Sequence, residues 1–187
     1  MIHVEVDRAD LQRVLSGLTN LEKAPSHLRN AINRTATQAM KMIRAGRSQG
    51  YTIKAGRFNQ NIKVQRATAA HLDATIKSQG KPPTLSGSFK TSYPKSGGKA
   101  DITKSGLKRL VVSTGGAAFI PSGGRAAGLM AQRKGSKRFP IKVLSGNSVP
   151  KMVEMIWKGE RGGQGDMGEK VKRRLHDEMM AEIARLV

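Results

Sequence analysis

The 187-residue sequence contains no cysteine, and aromatic side chains make up only 4% of it. The absence of cysteine excludes Cys-ligated zinc, iron–sulfur clusters and thiol chemistry, and it agrees with a reducing compartment. Apolar runs are a few residues long, so no segment approaches the ~20 residues needed to cross a bilayer, and the first residues do not resemble a signal peptide. A core must therefore rest on aliphatic side chains, and we expect residues 1–187 to form a single domain.

Acidic residues are also scarce: 13 Asp and Glu stand against 34 Lys and Arg, a net charge of +21. The deficit lies in residues 41–142, which hold 21 basic residues but only Asp73 and Asp101, whereas residues 1–40 and 143–187 are nearly neutral. A diffuse excess of positive charge would serve solubility alone. Its concentration in one segment favours a surface that contacts a polyanion, such as DNA, or an acidic protein.

Two basic clusters are the candidate polyanion-binding residues. They are Lys104, Lys108 and Arg109 in the first cluster, and Arg133, Lys134, Lys137 and Arg138 in the second. Phosphate contact needs only positive charge and reach, so such clusters bind DNA without reading its sequence. The pattern shows no recognition helix for base readout, few aromatics for stacking on single strands, and no basic helix with a broad apolar face for a membrane surface.

The sequence gives little support to catalysis. The four histidines are far apart and form no metal-binding pair, and the near absence of carboxylates from the middle of the chain disfavours a carboxylate pair or a two-metal nuclease. The Gly-rich stretch 159–165 lacks the preceding strand and the spacing of a phosphate-binding loop, and so does 123–128. We therefore predict a protein that is not an enzyme and that needs no cofactor or metal.

Hydrophobic periodicity predicts an α+β fold, with helices toward both ends and short strands between them. The predicted helices begin at Asp10, span 25–46, lie within 52–60, begin at 149–150 and span 168–187. The predicted strands are 2–6, 61–67, 72–78, 107–114, 119–121 and 139–144, which we expect to form one small, mostly antiparallel sheet. In the terminal helix Val171, Leu175, Met179 and Ile183 recur every four residues and predict a buried stripe.

Two segments rich in glycine interrupt this pattern. Residues 80–100 combine Gly, Pro, Ser and Lys, a composition that buries little surface, and we expect a long mobile loop or arm there. Residues 159–168 are expected to form a hinge before the terminal helix.

Several short motifs occur in a characteristic order. Residues 28–36 read Leu-Arg-Asn-Ala-Ile-Asn-Arg-Thr-Ala, and the later motifs are Ala118–Pro121, Met130–Arg133, Lys137–Val143 and Ser148–Pro150. The first is similar to the AxNR(T/V)A helix start of the minor tail protein Z family of long-tailed bacteriophages. The later series resembles the ending of that family, AFI, MQR, GxxR(Y/F)PIxV and VP followed by a basic helix. The resemblance covers about half of the chain, and the shared order and spacing argue against coincidence.

The resemblance implies a structural virion protein of the phage tail, related in role to tail-completion proteins. Such proteins join the head-proximal end of the tail tube to the connector, usually as rings whose lumen carries the packaged DNA. The implied partners are other tail and connector proteins and further copies of the chain, and the implied location is the virion tail, with the host cytoplasm during assembly. The residues alone leave two alternatives open: an architectural protein that binds DNA nonspecifically, and a nuclease or other DNA enzyme.

Overall fold

The computed structural model describes residues 2–5, 23–112, 115–162 and 165–185. Its helices are α1 (Ala24–Gly50), α2 (Ala55–Asn59), the single turn α3 (Leu85–Ser88), α4 (Val149–Trp157) and α5 (Met167–Ile183). Its strands are β1 (Ile2–Glu5), β2 (Ile62–Gln65), β3 (Asp73–Ser78), β4 (Lys90–Ser92), β5 (Lys99–Asp101), β6 (Lys108–Arg109), β7 (Val111–Val112), β8 (Gly115–Ala117), β9 (Ala131–Arg133) and β10 (Ile141–Val143). The α+β prediction is confirmed, and the helix predicted to begin at Asp10 lies outside the described residues.

The long helix α1 organises the helical part of the molecule. Its 27 residues span about 40 Å, with a proline in the first turn where a missing N–H costs nothing. The predicted apolar stripe is buried, namely Leu28, Ile32, Ala36, Ala39, Met40 and Ile43. The predicted end at Gly46 is wrong, because the helix continues to Gly50. Gly46 is buried against Ile156 of α4, and this tertiary contact outweighs the low helix propensity of glycine.

The strands form four small antiparallel sheets within the described residues, not the single sheet that we expected. Their orders are β1-β3-β2, β4-β5-β6, β7-β8 and β9-β10. The predicted strand 107–114 is divided at Leu110, whose carbonyl accepts hydrogen bonds from the backbone N–H of Ala118 (3.2 Å) and the side chain of Gln132 (3.0 Å). On either side of these hydrogen bonds, β6 pairs with β5 and β7 pairs with β8. Residues 113 and 114 of that prediction lie outside the described part.

Residues 80–100 contain α3, β4 and the start of β5, so the expectation that they bury little surface is wrong. Leu85 and Phe89 are 2% and 4% exposed and belong to the main core. The backbone N–H of Leu85 donates to the carbonyl of Leu144 at 3.0 Å, which fixes α3 beside β10. Two apolar side chains with the right neighbours are enough to anchor a segment of otherwise polar composition. That the segment is mobile stays a prediction.

The Gly-rich segment that precedes α5 lies against α1. Gly162 has φ +65°, a left-handed conformation that glycine adopts without strain. A Cβ at Gly162 would lie 2.7 Å from the backbone nitrogen of Gly50 and would overlap the carbonyl oxygen of Gly46. The two backbones therefore approach closely only because all three residues are glycine. The predicted hinge motion at 159–168 stays a prediction.

The core consists of two apolar clusters, and α1 contributes to both. The smaller cluster joins Leu28 and Ile32 to Ala74 of β3 and Met179 of α5. The larger cluster is built from α1, α2, α3 and α4 together with the β region, and it includes Ile43, Phe58, Leu85, Ala100, Met130 and Ile156. The predicted stripe of α5 is confirmed in part: Val171 and Met179 are buried, whereas Leu175 and Ile183 are half-buried.

Candidate polyanion-binding surface

The first predicted basic cluster lies on an outer strand of the three-stranded sheet β4-β5-β6. We call Lys104, Lys108 and Arg109 the β6 basic group. Lys108 and Arg109 form β6, and Lys104 lies in the turn between β5 and β6, where its φ of 53° is in the left-handed region. All three side chains are exposed. The structure therefore presents this group on an edge of the molecule, where long basic side chains also protect a strand edge from pairing.

The second predicted cluster lies in the hairpin that connects β9 and β10. Arg133 ends β9, and Lys134, Lys137 and Arg138 follow in the hairpin loop, all with exposed side chains. The backbone N–H of Lys134 donates to the carbonyl of Pro140 at 3.0 Å, and Arg133 is paired in register with Ile141. The hairpin thus holds four cations at one end of the β region.

Backbone contacts place the two clusters in one continuous β region. Gln132 precedes Arg133 in β9, and its side-chain amide donates to the carbonyl of Leu110, which directly follows Arg109. The backbone N–H of Leu110 in turn donates to the carbonyl of Gly98, and that of Gly98 to Ala118. Arg109 and Arg133 are therefore each one residue from the same hydrogen bond.

Strand register places cations opposite cations at two positions. Lys99 of β5 is paired with Arg109 of β6, and Lys63 of β2 is paired with Lys77 of β3. Like charges directly opposite each other on antiparallel strands destabilise the sheet. Sequence reasoning did not identify Lys63, Lys77 or Lys99, because the pairing becomes visible only when the register is known. Each of these pairs therefore lowers the stability of its own sheet.

No carboxylate of the described chain compensates these charges. Among the residues that the structure describes, none of the seven predicted side chains has an Asp or Glu oxygen within ion-pair distance. Asp101, one of the two acidic residues of the middle segment, is only 7% exposed and makes no ion pair within the described residues. The candidate surface is therefore strongly positive and lacks its own counter-charges.

Cations of the helical part are placed differently. Lys151 and Lys158 both contact Glu154 on α4, at 3.0 and 2.8 Å, and Lys172 contacts Glu169 on α5 at 3.1 Å. The hydrogen bond from Lys158, and then the one from Lys151, lowers the pKa of the Glu154 carboxyl. Lysines of the helical part thus form ion pairs with nearby glutamates, whereas the seven predicted cations of the β region form none within the described residues.

Two of the hairpin cations, Arg133 and Arg138, also line a pocket of about 720 Å³ that has both apolar and polar lining residues. Its lining includes apolar side chains, among them Phe119, Ile120, Phe139, Ile141 and Val143, and the exposed side chains of Arg125, Arg133 and Arg138, which we call its rim. The guanidinium carbon of Arg133 lies 5.7 Å from the centroid of the Phe119 ring, and that of Arg138 lies 5.8 Å from the centroid of the Phe139 ring. These are cation–π distances. We call these side chains the arginine pocket.

A second charged site lies between α1 and α5 and holds buried carboxylates. Glu182 is 2% exposed; its carboxylate contacts Nδ1 of His27 at 2.6 Å and Nη1 of Arg185 at 2.6 Å, and it also contacts Arg34. Glu178, 8% exposed, forms an ion pair with Arg34, whose Nε lies 2.9 Å from a carboxylate oxygen, and it also contacts Arg174. The two glutamates are one helical turn apart, and their arginine partners are Arg34 of α1, Arg174 of α5 and Arg185, which follows α5. The ion pairs of Arg34 with Glu178 and Glu182 join α1 to α5, and both carboxylates are occupied by these contacts.

The described residues contain neither a metal site nor a membrane-spanning helix. No group of three or more His, Asp or Glu side chains within 2–5, 23–112, 115–162 and 165–185 could hold a metal ion. In the same ranges no helix is both long enough and apolar enough to cross a bilayer.

Comparison with known protein families identifies the family of this chain. The family model described as Prophage minor tail protein Z (GPZ) matches residues 11–187. The chain belongs to this family. No curated protein and no solved structure matches the chain. The resemblance based on the motifs at 28–36 and 118–150 is therefore confirmed, and the match extends over nearly the whole chain.

Membership in the minor tail protein Z family assigns the protein a structural role in the phage tail and a place in the virion. It also implies contacts with other tail proteins. The positive surface and the arginine pocket are then features of a virion component that lies against other macromolecules.

Proposed function

We propose that this minor tail protein acts in tail completion and in joining the tail to the head, at the head-proximal end of the tail. In this proposal several copies form a ring on the tail, the protein has no catalytic activity, and its positive β surface faces the packaged DNA. The single observation that carries the DNA contact is the pairing of cation with cation at Lys99–Arg109 and Lys63–Lys77.

Pairing cation with cation across two strands costs free energy. Like-charged cross-strand pairs lose stability, and a surface without carboxylates adds further repulsion. DNA supplies a dense line of phosphates that removes this repulsion, and contact with phosphates requires no particular base sequence. Exposed lysines and arginines on short strands meet that requirement, because their long side chains reach a backbone without a specific fit.

A ring of several copies would increase the number of phosphate contacts. A ring around DNA presents the β6 basic group of every copy to one duplex, so weak individual contacts add up. Such a ring also has a closed interface on the tail, where other tail and connector proteins bind. In such a ring the β6 basic group contacts DNA, and a different surface contacts the other tail proteins.

The DNA contact is tested by the salt dependence of binding. If about six phosphates are contacted, the affinity for duplex DNA should fall roughly a thousandfold between 50 and 200 mM salt. The triple variant Lys104→Gln, Lys108→Gln and Arg109→Gln should reduce the slope of log K against log salt by up to about three. Duplexes of unrelated sequence should give the same result.

A matched control removes the same charge from the helical part. The triple variant Lys151→Gln, Lys158→Gln and Lys172→Gln lowers the net charge equally but alters cations that already have carboxylate partners. Its salt slope should remain close to that of the parent protein. Equal slopes for both triple variants would contradict a DNA contact at the β6 basic group and would leave only an effect of net charge.

The role in head–tail joining is tested in the phage. Deletion of the gene should give tails that accumulate without heads in electron micrographs, and the parent protein supplied in trans should restore complete particles. Complete, infectious particles from the deletion strain would contradict the proposal. Strong DNA binding together with normal head joining in the deletion strain would instead favour an architectural DNA-binding protein.

A further inference from the structure

We propose that the arginine pocket is a docking site for an acidic and apolar peptide segment of another tail protein. The occupant carries at least one large apolar side chain that enters the pocket and carboxylates that meet the arginines of the rim. Since the chain belongs to a tail protein family, this inference does not depend on the DNA contact proposed above.

The apolar walls are the first observation. Phe139 is 65% exposed and Ile120 is 39% exposed, although large apolar side chains are mostly buried elsewhere in the described chain. Two of the four phenylalanines of the sequence line this one pocket. Apolar side chains that converge on a concave surface and remain in contact with water are typical of a surface that a partner covers.

The rim provides the second observation. Arg125, Arg133 and Arg138 are all exposed, and the lining of the pocket includes no Asp or Glu. A guanidinium recognises a carboxylate through two parallel hydrogen bonds, which fixes direction as well as supplying attraction. The charge of the rim therefore selects a partner with carboxylates, and the apolar walls select one with a large side chain between them.

The same geometry disfavours nucleic acid as the occupant. A duplex backbone is too wide to enter a pocket of about 720 Å³ and would leave the apolar walls unused. Stacking of single-stranded bases requires open aromatic faces. One face of Phe119 and one face of Phe139 instead carry the guanidinium groups of Arg133 and Arg138.

A second copy of this chain is also a poor occupant. Each copy has a net charge of +21, so contact through an arginine-rich rim would bring like charges together. An acidic segment from a different protein complements both the charge and the shape.

The absence of cysteine from the sequence makes the occupant accessible to experiment. The substitution Ser122→Cys places a unique thiol at the pocket, where Ser122 is an exposed lining residue. The thiol is coupled to a benzophenone maleimide, and the labelled protein is assembled into tails and irradiated. Mass spectrometry then identifies the cross-linked peptide. The matched control is Ser105→Cys, which places the same label beside the β6 basic group.

We expect the label at Ser122 to cross-link to a segment of another tail protein in which a large apolar residue is flanked by Asp or Glu. The label at Ser105 should not reach that segment. Cross-links from Ser122 to DNA, to a second copy of this chain or to a segment without carboxylates would overturn the proposal. So would the absence of any cross-link, combined with full reactivity of the thiol in assembled tails.

A charge-conserving variant tests the role of the rim. In tails that carry Arg133→Lys and Arg138→Lys together with Ser122→Cys, the yield of the cross-link should fall about tenfold, as expected when anchoring arginines of an interface are lost. An unchanged yield would overturn the proposal. The β6 triple variant, tested separately, changes the salt slope of DNA binding. A reduced cross-link yield in the Arg133→Lys and Arg138→Lys variant therefore tests the docking site independently of the proposed DNA contact.

Discussion

Two glutamates in the C-terminal helix show how a single residue position can depend on a distant part of the chain. Glu178 and Glu182 lie on the buried side of α5 and are contacted by His27 and Arg34 of α1, by Arg174 of α5 and by Arg185, which follows α5. Carboxylates are rarely buried unless they are paired. The pair is thus a structural element of the α1–α5 contact, and its removal should be felt in stability.

We expect Glu182→Ala to lower the free energy of unfolding by about 2 kcal/mol, because it removes a buried carboxylate and leaves its partners His27, Arg34 and Arg185 without that contact. Glu169→Ala, which breaks the exposed pair with Lys172, should cost less than about 0.5 kcal/mol. Urea unfolding followed by circular dichroism measures both. Similar losses for the two variants would show that burial does not strengthen the Glu182 contacts.

These residues also mark a limit of sequence reasoning. The spacing of Val171 and Met179 predicted the buried side of α5, because apolar periodicity is a local property of the sequence. Glu178 and Glu182 lie on that side too, but the period alone assigns carboxylates to the solvent. Their burial depends on Arg34, which is more than 140 residues away in sequence. The same reason hides Lys63 opposite Lys77, since the register of two strands is a non-local property.

At the scale of elements, the contact between α1 and the segment before α5 depends on three glycines. Gly46 and Gly50 of α1 lie against Gly162, where a side chain would overlap the backbone. Sequence reasoning identified the glycines of 159–168 as permitting a hinge, because glycine allows bending in many contexts. The structure shows that the neighbour of Gly162 is α1, and that Gly46, Gly50 and Gly162 allow the two backbones to approach closely.

Gly162→Ala should lower the free energy of unfolding by at least about 2 kcal/mol, through overlap with α1 and through strain at positive φ. The matched control is Gly165→Ala. Gly165 also has positive φ, but a Cβ there meets nothing within 4 Å, so only the backbone strain of about 1 kcal/mol applies. The difference between the two variants in chemical unfolding isolates the packing contribution. Equal losses would contradict the close contact.

At the scale of the whole molecule, the fold class could be predicted while the division of the strands could not. The helices at both ends have long periodic patterns, and these predict element type well. Strands of two or three residues, such as β6 and β7, carry no periodic signal of their own. Their partners are set by hydrogen bonds to Gly98, Leu110 and Ala118. The candidate surface was predicted from charge alone, whereas the arginine pocket required the hairpin and the β8–β9 segment to be brought together.

That the chain forms one domain remains a prediction, and its thermal unfolding provides a test. The larger core cluster includes residues from α1 through the β region to α5, from Ala39 to Val171. We therefore expect a single cooperative transition with equal calorimetric and van't Hoff enthalpies. Circular dichroism of the helices and tryptophan fluorescence from Trp157 should give the same midpoint. Two separated transitions would show that the β region and the helical part unfold independently.

The pairing of α1 with α5 has a consequence for how the protein is made. A ribosome completes α1 early and α5 only after residues 51–166 have been added, so for most of the time of synthesis Leu28 and Ile32 lack Met179. During that time Arg34 also lacks Glu178 and Glu182. Exposed apolar helix surface of this kind is what chaperones bind and proteases remove. A nascent chain interrupted before α5 would therefore be degraded, so only chains that include α5 would be available to the growing tail.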